Sequence, residues 1–170
     1  LSNANAVYDA VNLLLNNNYV KIAVIAGSEC NLNSNQRIEG YKKALLEHEV
    51  DFDKDMIYRS DFSIESALQI TTEILEQDEI PDVIFSFANN TTVGCIKAIN
   101  QKGLKVGRDI KIFSFSKLNA SYINNFDIFY IEHPVHYMGE RSVTILKNKL
   151  IGTTGLIREI VNYQIHYHKE

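Results

Sequence analysis

Two hydrophobic rhythms share this chain. Short runs of consecutive apolar, mostly β-branched or aromatic residues alternate with longer stretches whose apolar positions recur every three or four residues, the marks of buried strands and of amphipathic helices. Val7, Val11 and Leu14 predict a helix over residues 4–17, capped by Ser2 or Asn3 and stopped by Asn16, Asn17 and Asn18. Residues 21–25 (KIAVI) read as a buried strand ending at Ala26 and Gly27. A polar loop, 28–35, leads to a second helix from 36 to about 49, with Ile38, Tyr41 and Leu45 facing inward. Gly40 within it costs about 1 kcal/mol relative to alanine, so a close packing contact is expected there. Residues 56–59 give a weaker strand near an edge, and Ser63 caps a third helix carrying Ala67, Leu68, Thr71, Ile74 and Leu75 as far as Gln77.

Residues 81–116 read as a complete strand, helix and strand. The run 83–87 follows Pro81, the polar cluster 89–92 stops it and offers N-cap side chains, and Val93, Ile96 and Ile99 continue at helical spacing. Gly103 closes the helix as a left-handed residue, and 110–115 is the next strand. This βαβ unit predicts a right-handed crossover in a parallel sheet. Residues 117–126 read as loop with one helical turn at 120–123, and 128–131 as a strand broken by His133 and Pro134. Residues 135–150 follow as a helix with Met138, Ser142, Ile145 and Leu146 on its buried side; Gly152 and Gly155 bracket a turn, and 156–168 supply one or two terminal strands. Strands alternating with helices make this an α/β protein with a mostly parallel sheet.

Composition narrows the function. The chain has 170 residues, 45% hydrophobic, and a net charge of -4 with no dense run of Lys or Arg, so it carries no nucleic-acid-binding stripe of its own. Cys30 and Cys95 are too few and too far apart for a disulfide framework or a zinc site, which favours a reducing, cytoplasmic setting. No membrane-length apolar run, signal peptide, nucleophile elbow, zinc-protease motif, P-loop or dinucleotide fingerprint is present, and nothing argues for an enzyme.

In open parallel sheets, ligands bind beyond the carboxyl ends of the strands. Four such ends carry polar residues here: the loop towards Arg37, then Asn89 and Asn90, then Ser116 and Lys117, then His133. A guanidinium, amides, hydroxyls and an imidazole suit a hydroxyl-rich or otherwise polar small molecule. His166 and His168 share one face of a terminal strand, yet a surface strand explains them better than a metal, and no cofactor is implied.

Several stretches together resemble the effector-binding domain of LacI-type transcriptional regulators, which has a periplasmic-binding-protein-like fold. Ser2-Asn3 with the following helix and KIAVIAG is similar to that family's opening. Arg37 to Leu45 matches R-x-x-G-Y-x-x-A-L, and Ala88-Asn89-Asn90 with Gly94 resembles A-N-D-x-x-A-x-G. Gly103 to Ile110 resembles G-L-x-V-P-x-D-I, and His133-Pro134 with Met138-Gly139 resembles Q-P followed by M-G. The resemblance implies effector contacts at Arg37, Asn89 and Ser116, with His133 nearby. Ser114-Phe115-Ser116 stands where G-F-D is usual, so a hydroxyl replaces a charged bidentate acceptor, while Asn90 replaces an Asp and Gly107 a Pro.

The resemblance also implies a two-lobe domain with one lobe complete and one truncated. Residues 1–27 and 132–151 are expected in a partial amino-terminal lobe, and 28–131 with 152–170 in the carboxy-terminal lobe. Family members carry a helix-turn-helix headpiece, a hinge helix and further βα units ahead of this region. A half-lobe should expose apolar faces covered by self-association. The expected function is effector sensing and dimerisation within a DNA-binding regulator. The effector would be a small molecule such as a sugar, and operator DNA would be reached only through a headpiece. A periplasmic sugar-binding protein is the alternative, and a flavodoxin-like enzyme or receiver would need an acidic or phosphate-cradling cluster that is not seen.

Overall fold

The computed structural model describes residues 2–119, 125–152, 154–157 and 159–167. Its sheet has six strands in the order β2-β1-β3-β4-β5-β6, namely β1 (Ile22–Ala26), β2 (Ile57–Arg59), β3 (Val83–Ser86), β4 (Lys111–Ser114), β5 (Ile128–Glu132) and β6 (Gln164–His166). All neighbours pair in parallel except β5 and β6, which are antiparallel. β1, β3 and β4 are buried along their whole length, as their mostly apolar runs require.

The helices α1 (Asn3–Asn16) and α2 (Leu32–Glu47) cover one face of the sheet, and α3 (Ile64–Leu75) with α4 (Asn89–Gln101) covers the other. Each pair closes on a glycine. A Cβ on Gly40 would sit 2.1 Å from the Ala4 carbonyl oxygen, the close contact its place in a helix implied, and one on Gly94 would sit 2.5 Å from that of Ile64. Between the first pair and the sheet lies a layer of rings: Phe85 meets Phe113 at 4.7 Å between centroids and Phe87 at 5.3 Å, and Phe129 meets Tyr167 at 4.6 Å. Burying each such ring contributes about 1.5–3 kcal/mol.

Several expectations need correction. α2 begins earlier than its apolar spacing suggested, because the Asn31 side chain accepts from Ser34 N and caps it inside the supposed loop. α4 is capped by Ala88, which offers no side-chain acceptor, so Asn89 is its first residue rather than its cap. Among the described residues of the terminal segment only Gln164–His166 forms a strand, since only these pair with β5. The helical turn expected at 120–123 lies outside the described residues, as does His168.

A fifth helix, α5 (Val135–Leu150), follows β5 and has no buried residue. The side expected to be buried is largely open instead: Met138 is 36% exposed and Leu146 is 60% exposed. No described element packs against that side closely enough to bury it. β1 lies between β2 and β3, and Tyr8, Val11 and Leu14 of α1 join the cluster under α2, so residues 2–27 are part of the same sheet domain as 28–131.

Candidate functional site

The connections after β1 and β3 leave the sheet towards opposite faces, with α2 on one and α4 on the other. Their carboxyl ends therefore open a crevice, the switch point at which such sheets receive ligands. Arg37, on the second turn of α2, reaches across it. Its Nη1 donates to the Phe87 carbonyl just past β3 at 2.6 Å, and its Nε donates to Asn3 Oδ1 at 3.0 Å. The guanidinium carbon lies 3.5 Å from the centre of the Phe115 ring, an arrangement in which a cation is attracted to the ring face. Burial lowers the Arg37 pKa to about 10, leaving it charged at neutral pH.

Asn3 is itself fixed from α2. Its Nδ2 donates to Asn33 Oδ1 and Gln36 Oε1, both at 3.0 Å. The first residue of α1 and the first turns of α2 thus aim the guanidinium together. Sequence reading had placed Asn3 only as a possible cap.

Beside Arg37, at the ends of β3, β4 and β5, is a hollow of about 480 Å³ lined by Asn89, Ser116, Lys117, Leu118, Glu132 and His133, among others. Three of the four expected contact residues, Asn89, Ser116 and His133, therefore meet around one space. The fourth, Arg37, is not in its lining, and neither is Asn90.

The Ser116 loop is held from below by hydroxyls. Thr92 Oγ1 is within 3.0 Å of Ser114 Oγ, makes a short hydrogen bond with Ser86 Oγ, and donates to the Ala88 carbonyl. Ser114 Oγ in turn donates to the Ser116 carbonyl at 2.7 Å. Ser114 stands where the resemblance has glycine, so this chain adds a hydroxyl that holds the Ser116 carbonyl at the end of β4. Gly107 has φ +88°, an angle closed to the proline usual there, which accounts for that departure as a change of turn.

His133 Nε2 lies 2.7 Å from the Phe115 carbonyl oxygen. A carbonyl only accepts, so Nε2 carries the proton, and Nδ1 is left as a buried acceptor without a partner. Burial lowers the imidazole pKa from its usual value, which keeps the ring neutral. Glu132, the last residue of β5, accepts a hydrogen bond from Lys117 at 2.7 Å, and its other oxygen lies 2.6 Å from His166 Nε2. The Lys117 hydrogen bond holds the Glu132 carboxyl below its ordinary range, and Glu132 raises Lys117 in return. This clamp joins the site loop to the returning strand β6. Sequence reading missed it, together with Phe115 and the Thr92 hydroxyl, because each acts through a partner distant in the chain.

Among the described residues no group of three His, Cys, Asp or Glu side chains could hold a metal. His166 is engaged by Glu132. Cys30 is exposed, whereas Cys95 is buried and its thiol is pushed up to about 12 by desolvation.

A parallel open sheet with a polar switch-point crevice is the architecture of α/β ligand-binding domains. The chain belongs to the periplasmic binding protein-like domain family, whose profile matches residues 11–164. Among its curated relatives, the HTH-type transcriptional repressor PurR of Actinobacillus pleuropneumoniae serotype 3 (strain JL03) is 29% identical over 143 residues, covering 84% of this chain and 43% of that protein. A LacI transcriptional regulator from Bacillus cereus subsp. cytotoxis NVH 391-98 superposes with a TM-score of 0.89 at 22% identity, over 99% of this chain and 60% of that one. The transcriptional regulator CelR in its cellobiose complex superposes at 0.86 and 20% identity, over 98% and 51% of the two chains. The expected likeness to LacI-type effector domains is therefore borne out, and the chain spans less than half the length of the curated relative it matches.

Proposed function

We propose that this chain is the effector-sensing part of a LacI-type transcriptional regulator. The observation that carries this reading is the crevice itself: Arg37 spans the ends of β1 and β3, and Asn89, Ser116 and His133 surround the adjoining hollow. An effector that prefers one arrangement of the domain shifts the population of states and, through a DNA-binding headpiece, affinity for operator DNA. The sequence likeness to PurR, a transcriptional repressor, favours this over a periplasmic binding protein; finding a helix-turn-helix in the reading frame upstream of Leu1 would separate the two and would fit a cytoplasmic regulator. The chemistry is that of binding, without a reaction.

On this reading, residues 2–132 with β6 form one lobe and α5 belongs to a second. The open side of α5 supports self-association as a homodimer. A sugar or sugar derivative is the favoured effector class, and the fold accommodates cellobiose in CelR. A thermal-shift screen of sugars, sugar phosphates and purines tests the site, because a ligand that binds only the native state raises its stability. Arg37→Ala should abolish the shift given by any hit. A shift that survives unchanged would place the effector elsewhere.

A further inference from the structure

Arg37 carries a positive charge that no side chain neutralises. Its hydrogen-bond partners are an amide oxygen and a backbone carbonyl, both uncharged, and among the described residues no carboxylate lies within ion-pair distance of it. Glu132, an acid in the lining of the hollow, is already paired with Lys117. Desolvation is the one cause acting on the guanidinium, with no acid offsetting it. A half-buried cation left without a counter-charge is unfavourable in a medium of low dielectric. Nε and Nη1 are occupied, whereas Nη2 donates to no described residue.

The position that resembles the family's aspartate is Ser116, and its backbone is tied to the Ser114 hydroxyl, so the chain supplies no anion from there. The surroundings act in the same direction. Ala88 leaves the first-turn N–H groups of α4 without a capping side chain, and a helix N-terminus carries partial positive charge. The argument rests on Arg37, and α4 only adds to it.

We propose that the effector is itself an anion, whose carboxylate or phosphate group supplies the counter-charge that Ser116 does not. This rests on the effector-site reading above and narrows it. The oxyanion takes the open Nη2 edge of Arg37, while the rest of the ligand, bearing hydroxyl or N–H donors, occupies the hollow by Asn89, Ser116 and His133. The partnerless Nδ1 of His133 accepts one of those donors. A neutral sugar would satisfy the hollow and leave the guanidinium uncompensated.

Calorimetry and thermal shift at matched ionic strength test this with paired probes: glucose against glucose 6-phosphate, glucose against gluconate, and inorganic phosphate alone. The anionic member of at least one pair should bind about tenfold or more tightly than its neutral partner, and raising the salt concentration should weaken it. Arg37→Gln should erase that preference. Ser116→Asp, which returns a carboxylate at a partly exposed position with little risk to folding, should erase it too. Tighter binding of neutral glucose, or an anion preference that persists in both variants, overturns this inference and leaves the effector site standing. If the anions act no differently from sodium chloride, the inference also fails. If no small molecule in this or the wider screen binds at the crevice, the site reading falls with it.

Discussion

His133 shows how one side chain can tie binding to pH. Its ring is held neutral first by burial, with the Phe115 carbonyl opposing that shift and the Arg37 charge reinforcing it. A folded pKa below the unfolded value means that the unfolded chain takes up more protons as pH falls through about 6.5, so stability is complete above that pH and declines below it. Urea midpoints measured between about pH 7.5 and pH 5.5 should fall, and His133→Gln should flatten the decline within that window. A wild-type midpoint that stays level would sink the assignment. His133 itself was legible, being a polar residue at a strand end before a proline. The direction of its hydrogen bond was not, because Phe115 lies 18 positions away.

At the scale of elements, helix caps separate structural from binding roles. The Ser63 side chain accepts from Ser66 N at 3.0 Å, so Ser63→Ala should cost about 1 kcal/mol on denaturation. Asn89 caps nothing in α4, and Asn89→Ala should leave stability within about 0.5 kcal/mol while weakening ligand binding; a loss equal to that of Ser63→Ala would restore the capping role. Gly40→Ala sets two effects against each other. Alanine gains about 1 kcal/mol of helix propensity, yet its Cβ would press on the Ala4 carbonyl, and backbone cannot swing aside. Overpacking should win, with a net loss of about 1–3 kcal/mol by chemical denaturation. The strands and most helices were readable because burial on both faces, or on one, writes itself into residue spacing. Helix starts were less so: Asn31 and Ala88 fix them through local hydrogen bonds, or their absence, that periodicity does not report.

For the whole molecule the informative surface is α5. Val143, Leu146 and Leu150 are each at least 60% exposed on a helix with no buried residue, an apolar stripe of the kind that often marks an interaction surface. Sedimentation or light scattering should show association that grows with concentration, and Leu146→Lys should shift it towards monomer; a monodisperse monomer at every concentration would count against the dimer. The amphipathic spacing of α5 was visible in the sequence, but whether its apolar side is covered depends on what lies opposite. The strand order was hidden for a related reason: the insertion of β1 between β2 and β3 is a long-range pairing that leaves no trace in the strand's own residues.

The ring layer beneath the crevice has an optical consequence. The chain has no tryptophan, and Phe87, Phe115 and His133 form a ring series, with centroids 6.3 Å and 5.2 Å apart, whose middle member lies under the Arg37 guanidinium. Protons held over such rings are displaced by their induced magnetic fields, and asymmetric ring packing lends the near-ultraviolet region a circular dichroism free of indole bands. The protein thus carries its own reporter at the floor of the site, so occupancy can be followed by proton resonance or dichroism without attaching a dye.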